Sequence, residues 1–300
     1  CLDRRQPNSS SRWRGQHECS SSNRLGGFHR SKKPLLNPVD ADRRGDDRPN
    51  IPYPQPQNLM DSRFRVELIA ATPNPQQSVY AGMHQDYSEG FVVMERDQWP
   101  NETRAGEICI KRLLGGMKGH YGPLEHAQIV LNVGWFPHSV MQQARTHRVG
   151  VSFDVQSMRY TGERICRAAE GKLDLEEVFY LRPVGEYRDR LGKKYTYVDE
   201  QRLIDLKLCQ QAAERYRDLL RDGFSEEHAR GILPFDYRQH FVVSFSLRAF
   251  LHFLDLRSKL DAQQEIRELC DLMWPHLQNW APEFADWYEK NRLHKARLAP

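Results

Sequence analysis

The chain has 300 residues, 39% of them hydrophobic, enough to fill one large core or two smaller ones. No apolar run approaches the roughly 20 residues of a membrane helix; the stretch 129–133 is among the most apolar and is far too short. The formal net charge of +4 sits at one end: residues 1–59 carry 11 Lys or Arg against 6 Asp or Glu, so the remainder is close to neutral. A near-neutral body argues against a nucleic-acid partner and for a local basic patch aimed at a small anion. The six cysteines (Cys1, Cys19, Cys109, Cys166, Cys209 and Cys270) form no Cys-x-x-Cys pair and no zinc spacing. Scattered thiols, with no charged-then-apolar signal pattern, give the expectation of a cytoplasmic protein with no membrane partner.

Residues 1–59 combine serine tracts with four prolines between Pro49 and Pro56 and show no apolar periodicity. Such a segment cannot offset its ordering entropy by burial. It reads as a disordered leader, a targeting segment or a non-native upstream extension, and the folded domain is expected to span 60–300. From Met60 onward the pattern alternates. A strand is expected over 64–71, a helix over 103–117, a strand over 128–133 and a helix over 137–148 with proline at its first turn. A loop carrying Ser152 and Asp154 follows. Residues 199–221 give a long amphipathic helix with Leu203, Leu206, Ala213, Tyr216 and Leu220 at helical spacing. Gly223 ends it, and Ser225 caps a helix that Pro234 stops. A strand over 241–245 and helices over 247–256 and 262–274 complete an α+β fold. It is read as a single domain with helices packed around a central antiparallel or mixed sheet.

Three clusters carry chemistry. The densest runs from Gln142 to Tyr160 and contains Arg145, His147, Arg148, Ser152, Asp154, Gln156, Ser157, Met158 and Arg159. Arginine forks and serine hydroxyls suit a phosphate; the ordinary alternative is a helix end with solvent-facing charges. The second places His120, Glu125 and His126 around Gly122-Pro123. These are metal-ligand types, so a metal-dependent hydrolase, with His147 as a further ligand, is a competing reading. The Gly-Pro break matches no helical zinc motif, and a turn followed by a buried Glu125–His126 pair is the simpler account. The third is the helix 247–256, where Arg248, His252 and Asp255 share one face and Leu247, Leu251 and Leu254 another, with Arg257 at the C-terminal end. A nucleic-acid-binding module using Arg145, Arg148 and Arg159 is a further alternative, disfavoured by the charge balance.

In order along most of residues 60–300, these clusters resemble the flavin-dependent thymidylate synthases. The signature of that family is Arg-His-Arg, seven residues, Ser, one residue, Arg; here it reads Arg145-Thr146-His147-Arg148, eight residues, Ser157-Met158-Arg159. Either Thr146 is an inserted residue or it replaces the first Arg; the chemistry needs a cation there, so Arg145 is taken for that position, with Gln142 rather than Gln143 upstream. The resemblance implies a homotetramer with FAD held between subunits by His120, Gly122, Glu125, Arg145, His147, Arg148, Ser246, Arg248 and His252. His252 and Asp261 stand where an Asn and a His are common in the family. It implies dUMP bound by Gln142, Arg145, Gln156, Ser157, Met158, Arg159, Arg230 and Arg257, with Arg257 facing the uracil as the catalytic residue. It further implies 5,10-methylenetetrahydrofolate as one-carbon donor, NADPH as reductant and no metal. No Gly-x-Gly-x-x-Gly opens a helix, so no dedicated Rossmann domain is expected. None of the four cysteines after Met60 lies in the clusters, which disfavours a cysteine nucleophile.

Overall fold

The computed structural model describes residues 60–117, 119–189 and 192–294, all within the unit Pro54–Pro300. The expectation for residues 1–59 lies outside the described residues. In chain order the strands are β1 (Arg65–Ala71), β2 (Gln128–Pro137), β3 (Val151–Val155), β4 (Gly185–Arg188), β5 (Lys194–Tyr197) and β6 (Arg238–Ser246). The helices are α1 (Pro75–Gln85), α2 (Glu102–Cys109), α3 (His138–Ala144), α4 (Met158–Thr161), α5 (Glu163–Ala169), α6 (Asp199–Arg221), α7 (Glu226–Ala229), α8 (Leu247–Arg257), α9 (Gln264–Trp280) and α10 (Pro282–Asn291).

The central sheet is four-stranded, in the order β1-β2-β6-β3, and every pairing is antiparallel. Alternation along β2 and β6 buries Ile129, Leu131 and Val133 together with Phe241, Val243 and Phe245. The larger core packs Phe250, Phe253, Leu254, Ile266, Leu269, Met273 and Leu277 of α8 and α9 with these sheet residues. A second core gathers Ile165, Ala168, Phe179, Cys209, Ala213 and Tyr216 from α5, α6 and the segment between. Among the described residues no helix is long and apolar enough to cross a membrane.

Several expectations change. The 103–117 helix is α-helical only to Cys109 and continues as a π turn over Ile110–Leu114. The helix expected to run to Arg148 stops at Ala144, so Arg145–Arg148 form a turn. Ser152 and Asp154 lie on strand β3, not a loop: they are exposed while Val151, Phe153 and Val155 are half-buried, the period-2 pattern of a strand. Helix α9 continues through Pro275 to Trp280, because Leu277 beyond the proline is fully buried. On α6 the buried stripe is Cys209, Ala213, Tyr216 and Leu219, whereas Leu203 is 58% exposed.

Strand β2 extends past Val133 by way of a bulge. Its register against β6 shifts between Val133 and Phe136, and Trp135 takes a left-handed φ of 64°. Arg238, wholly buried, fixes this point. Its Nη1 donates to the Trp135 carbonyl at 2.7 Å and its Nε to the Glu176 carbonyl, while its Nη2 pairs with Asp61. Its guanidinium also lies 5.3 Å from the Tyr180 ring centroid. Removing this cation leaves two carbonyls and one oxygen of the Asp61 carboxylate without this partner, Arg63 N holding the other oxygen. Arg238→Ala is therefore expected to lower stability by about 3–5 kcal/mol, read by urea unfolding; a loss under 1 kcal/mol would show that the bulge holds itself.

Candidate active site

The turn after α3 is built around one imidazole. His147 is 8% exposed, with its ring against Phe253 at 4.9 Å and His252 at 5.6 Å between centroids. Its Nε2 accepts from Arg257 Nε at 3.0 Å. Burial, then the charge of Arg257, then His252 push its pKa down to about 4, so it is neutral and an acceptor at physiological pH. The Nη2 of Arg257 donates to the Gln143 carbonyl at 3.0 Å and the Thr146 hydroxyl at 2.7 Å. Thr146 in turn donates to the Gln143 carbonyl at 2.7 Å. Arg257 is thus clamped through two nitrogens, and its Nη1 has no partner among the described residues.

Beside this clamp lies an open cleft of about 470 Å³, lined by Gln142, Arg145, Thr146, His147, Arg148, Val151, Ser152 and Phe153. Arg145 and Arg148 are exposed, and neither guanidinium has a protein partner among the described residues. Two unpaired arginine forks on one wall suit an anion with several oxygens. Gly150, at φ 69°, lets β3 approach α8: a Cβ there would lie 2.5 Å from Ser246 Oγ. Ser246 caps α8, its hydroxyl accepting from Ala249 N. One turn on, His252 Nδ1 is buried with no partner among the described residues. Such an orphan is costly unless a bound group satisfies it.

Arg248 reaches Glu125 at 2.6 Å, joining α8 to the turn Gly122–Glu125. Glu125 is half-buried and His126 exposed, so they are not the buried pair expected of a plain turn. His120 lies with its Nε2 2.9 Å from Asp86, at the end of α1. Among the described residues no three metal-ligand side chains converge, and His120, Glu125, His126 and His147 do not form a metal cluster. Asp255 does not share a solvated face with Arg248 and His252. It is 3% exposed and paired with Arg292.

Of the residues expected at dUMP, Gln142 and Arg145 line the cleft. Ser157 begins α4, its hydroxyl accepting from Arg159 N. Met158 is 2% exposed in the second core, so its side chain cannot face a ligand. Arg159 and Arg230 are exposed, and Arg159 pairs with Glu227 at 2.9 Å. Gln156 is half-buried, with an unpartnered Oε1. Among the described residues, burial pushes the Cys109 and Cys270 thiols up to about 12 and Cys209 to about 11, and raises that of Cys166.

Residues 67–283 match the family described as thymidylate synthase complementing protein. The flavin-dependent thymidylate synthase of Haloarcula marismortui is 33% identical over 248 residues, covering 78% of this chain and 99% of that one. That of Halobacterium salinarum is 31% identical, covering 79% and 100%. The chain belongs to the flavin-dependent thymidylate synthase family. The fold agrees with solved structures. A UMP/dUMP methylase from Streptomyces cacaoi, bound with 5-bromo-dUMP, superposes with a TM-score of 0.60 at 20% identity, covering 79% of this chain and 99% of that one. Thymidylate synthase X from Helicobacter pylori, with FAD and dUMP, gives 0.53 at 19%, covering 78% and 100%.

Thr146, beside Arg145 in the sequence, puts its hydroxyl on Arg257 as one of its clamps. The sequence reading missed the residues that hold the site from behind. Gln263 Nε2 donates to Glu265 at 2.7 Å, Tyr180 donates to the same carboxylate at 3.0 Å, and the Gln143 side chain donates to Gln263. Gln143 and Gln263 are 120 positions apart in the chain, so no local spacing pairs them.

Protonation of His147 gives a pH signature. The unfolded chain, with an ordinary histidine near 6.5, takes up a proton before the folded state does, so stability falls with pH between about 6.5 and 4. Glu268 acts oppositely, since burial lifts its carboxyl to about 7 and folding gains as it protonates. The difference between wild type and His147→Gln isolates the histidine. Wild type is expected to lose about 2–3 kcal/mol relative to the variant between pH 7 and pH 4.5, measured by urea unfolding. Parallel curves would mean that His147 is not held neutral.

Proposed function

We propose that this chain methylates dUMP to dTMP, with FAD as bound cofactor, 5,10-methylenetetrahydrofolate as one-carbon donor and NADPH as reductant. The observation that carries the reading is the clamped Arg257 beside a cleft with two unpartnered arginines. Uracil C5 is a weak nucleophile until charge builds on the ring. Arg257, held through Nε and Nη2 by His147, Gln143 and Thr146, is left with Nη1 to stabilise the anion formed as N3–H is lost. Because His147 is neutral, it orients Arg257 without adding a second charge there.

The residues suit a flavin. Arg145 and Arg148 would take its phosphates, and the buried, unpartnered Nδ1 of His252 would take a polar ring edge. Ser246, Arg248, Glu125, Gly122 and His120 would complete that wall. When bound and reduced by NADPH, the flavin would supply the hydride that finishes the methyl group. For the nucleotide, Arg159 would leave Glu227 for the phosphate. An exposed ion pair of that kind is worth only about 0–1 kcal/mol and yields readily to a doubly charged anion. The same reading makes the protein a homotetramer. Supporting it, Leu203, Ile204 and Leu208 on α6 are each more than half exposed, an apolar face that association would cover.

Purified protein is expected to show flavin absorbance and to form dTMP from dUMP, methylenetetrahydrofolate and NADPH. Colourless protein that takes up no FAD would overturn the reading. Lysine cannot reproduce the two-nitrogen clamp, so Arg257→Lys should slow single-turnover flavin oxidation by about a hundred- to a thousandfold and change dUMP affinity far less. A variant that only weakens dUMP binding would contradict the role given to Arg257.

A further inference from the structure

Behind the cleft wall runs a chain of hydrogen bonds with a fixed direction. Gln142 Nε2 stands 2.6 Å from His138 Nε2, and His138 Nδ1 stands 2.6 Å from Gln239 Oε1. Gln239 Nε2 donates to the backbone carbonyl of Gln156 at 3.3 Å. A carbonyl can only accept, so the Gln239 amide nitrogen must face it. That leaves the Gln239 oxygen for His138, which must carry its proton on Nδ1. In the neutral Nδ1–H tautomer His138 Nε2 is then a lone pair and calls for a donor, which is the NH₂ that Gln142 turns inward. The opposite polarity would set Gln239 Oε1 against the Gln156 carbonyl, two acceptors face to face. Gln239 is 3% exposed and has no room to satisfy itself with solvent. The imidazole cannot swing away either: it stacks on Tyr237 at 4.8 Å with 18° between planes and meets Phe235 edge-on at 5.2 Å.

From this geometry we propose that His138 is a positioning residue which, through Gln239, fixes the amide of Gln142 so that its carbonyl oxygen faces the cleft as an acceptor. The inference rests on the proposed dUMP site and adds a rule to it: the nucleotide must present a hydrogen-bond donor to Gln142. On dUMP that donor is either the N3–H of the base or the sugar hydroxyl.

Two analogues separate these sources, 3-methyl-dUMP without the N3–H and 2′,3′-dideoxy-UMP without the hydroxyl. Their affinities for the FAD-loaded protein are compared with that of dUMP, in wild type and in His138→Phe, which keeps the ring packing and releases the Gln142 amide. In wild type one analogue is expected to bind roughly three- to tenfold more weakly than dUMP, and that penalty should shrink at least twofold in the variant, the coupling expected of a double-mutant cycle. Equal penalties in both proteins, or no penalty for either analogue, would overturn the proposal while leaving dUMP binding intact. Failure of wild type to bind dUMP at all would instead overturn the nucleotide site and the proposal with it. The ring ¹⁵N shifts of His138 in wild type, assigned by through-bond correlation from its backbone, give a reading that does not need the variant. The neutral Nδ1–H tautomer is expected, and an Nε2–H ring would reverse the chain and overturn the proposal even if His138→Phe fails to fold.

Discussion

A guanidinium removed from water has to be satisfied on every side, and Arg238 is satisfied by groups far apart in the chain. Asp61 comes from just before β1, the Trp135 carbonyl from the bulge of β2 and the Glu176 carbonyl from the segment between the two cores. Once these are gathered, the left-handed turn at Trp135 is set, and with it the point where β2 gives way to α3. Helix α3 carries Gln142 and Gln143 and delivers His147 at its end. The next residue of the same strand, Gln239, supports His138 at the start of α3. The buried charge and its strand neighbour thus fix the start of the helix that forms the cleft wall. Breaking such a pair costs far more than it contributes to net stability, so it acts as a constraint on geometry more than as a source of free energy.

The cations of the site divide into distinct tasks by burial. Arg257 is half-buried, clamped through two nitrogens and backed by a neutral histidine, an arrangement that presents a fixed charge to whatever lies against it. Arg145 and Arg148 are exposed and unclamped, suited to an anion whose position they follow rather than dictate. Arg159 is held by a carboxylate that a stronger anion can displace. A fixed cation where charge develops and adaptable ones where binding is needed is the division expected when catalysis depends on preorganisation.

Much of the fold was legible because β2, β6, α8 and α9 carry apolar periods that burial enforces. Strand β3 was read as a loop, because its polar Ser152 and Asp154 outweighed the alternation of Val151, Phe153 and Val155. Helix α10 and the hairpin of β4 and β5 gave no comparable signal; Tyr187 is the only buried residue among the described residues of that hairpin. In the site, residue types marked a basic cluster of which Gln142, Arg145, His147 and Arg148 line the cleft, and the resemblance ordered it. What sequence could not supply was pairing across distance: Arg257 to His147, Gln143 to Gln263, His138 to Gln239. Each joins positions more than 100 apart. Nor could it supply the change at Asp255, whose helical face looked polar until Arg292 folded over it.

A crystal structure of the FAD-loaded protein with dUMP tests the central claim most directly. The account predicts the uracil ring against Arg257 Nη1, with the Arg257 clamp to His147 and Thr146 intact, and the phosphate on Arg159 with Glu227 displaced. A nucleotide seated away from Arg257, or an Arg257 that abandons His147 to reach it, would contradict the account.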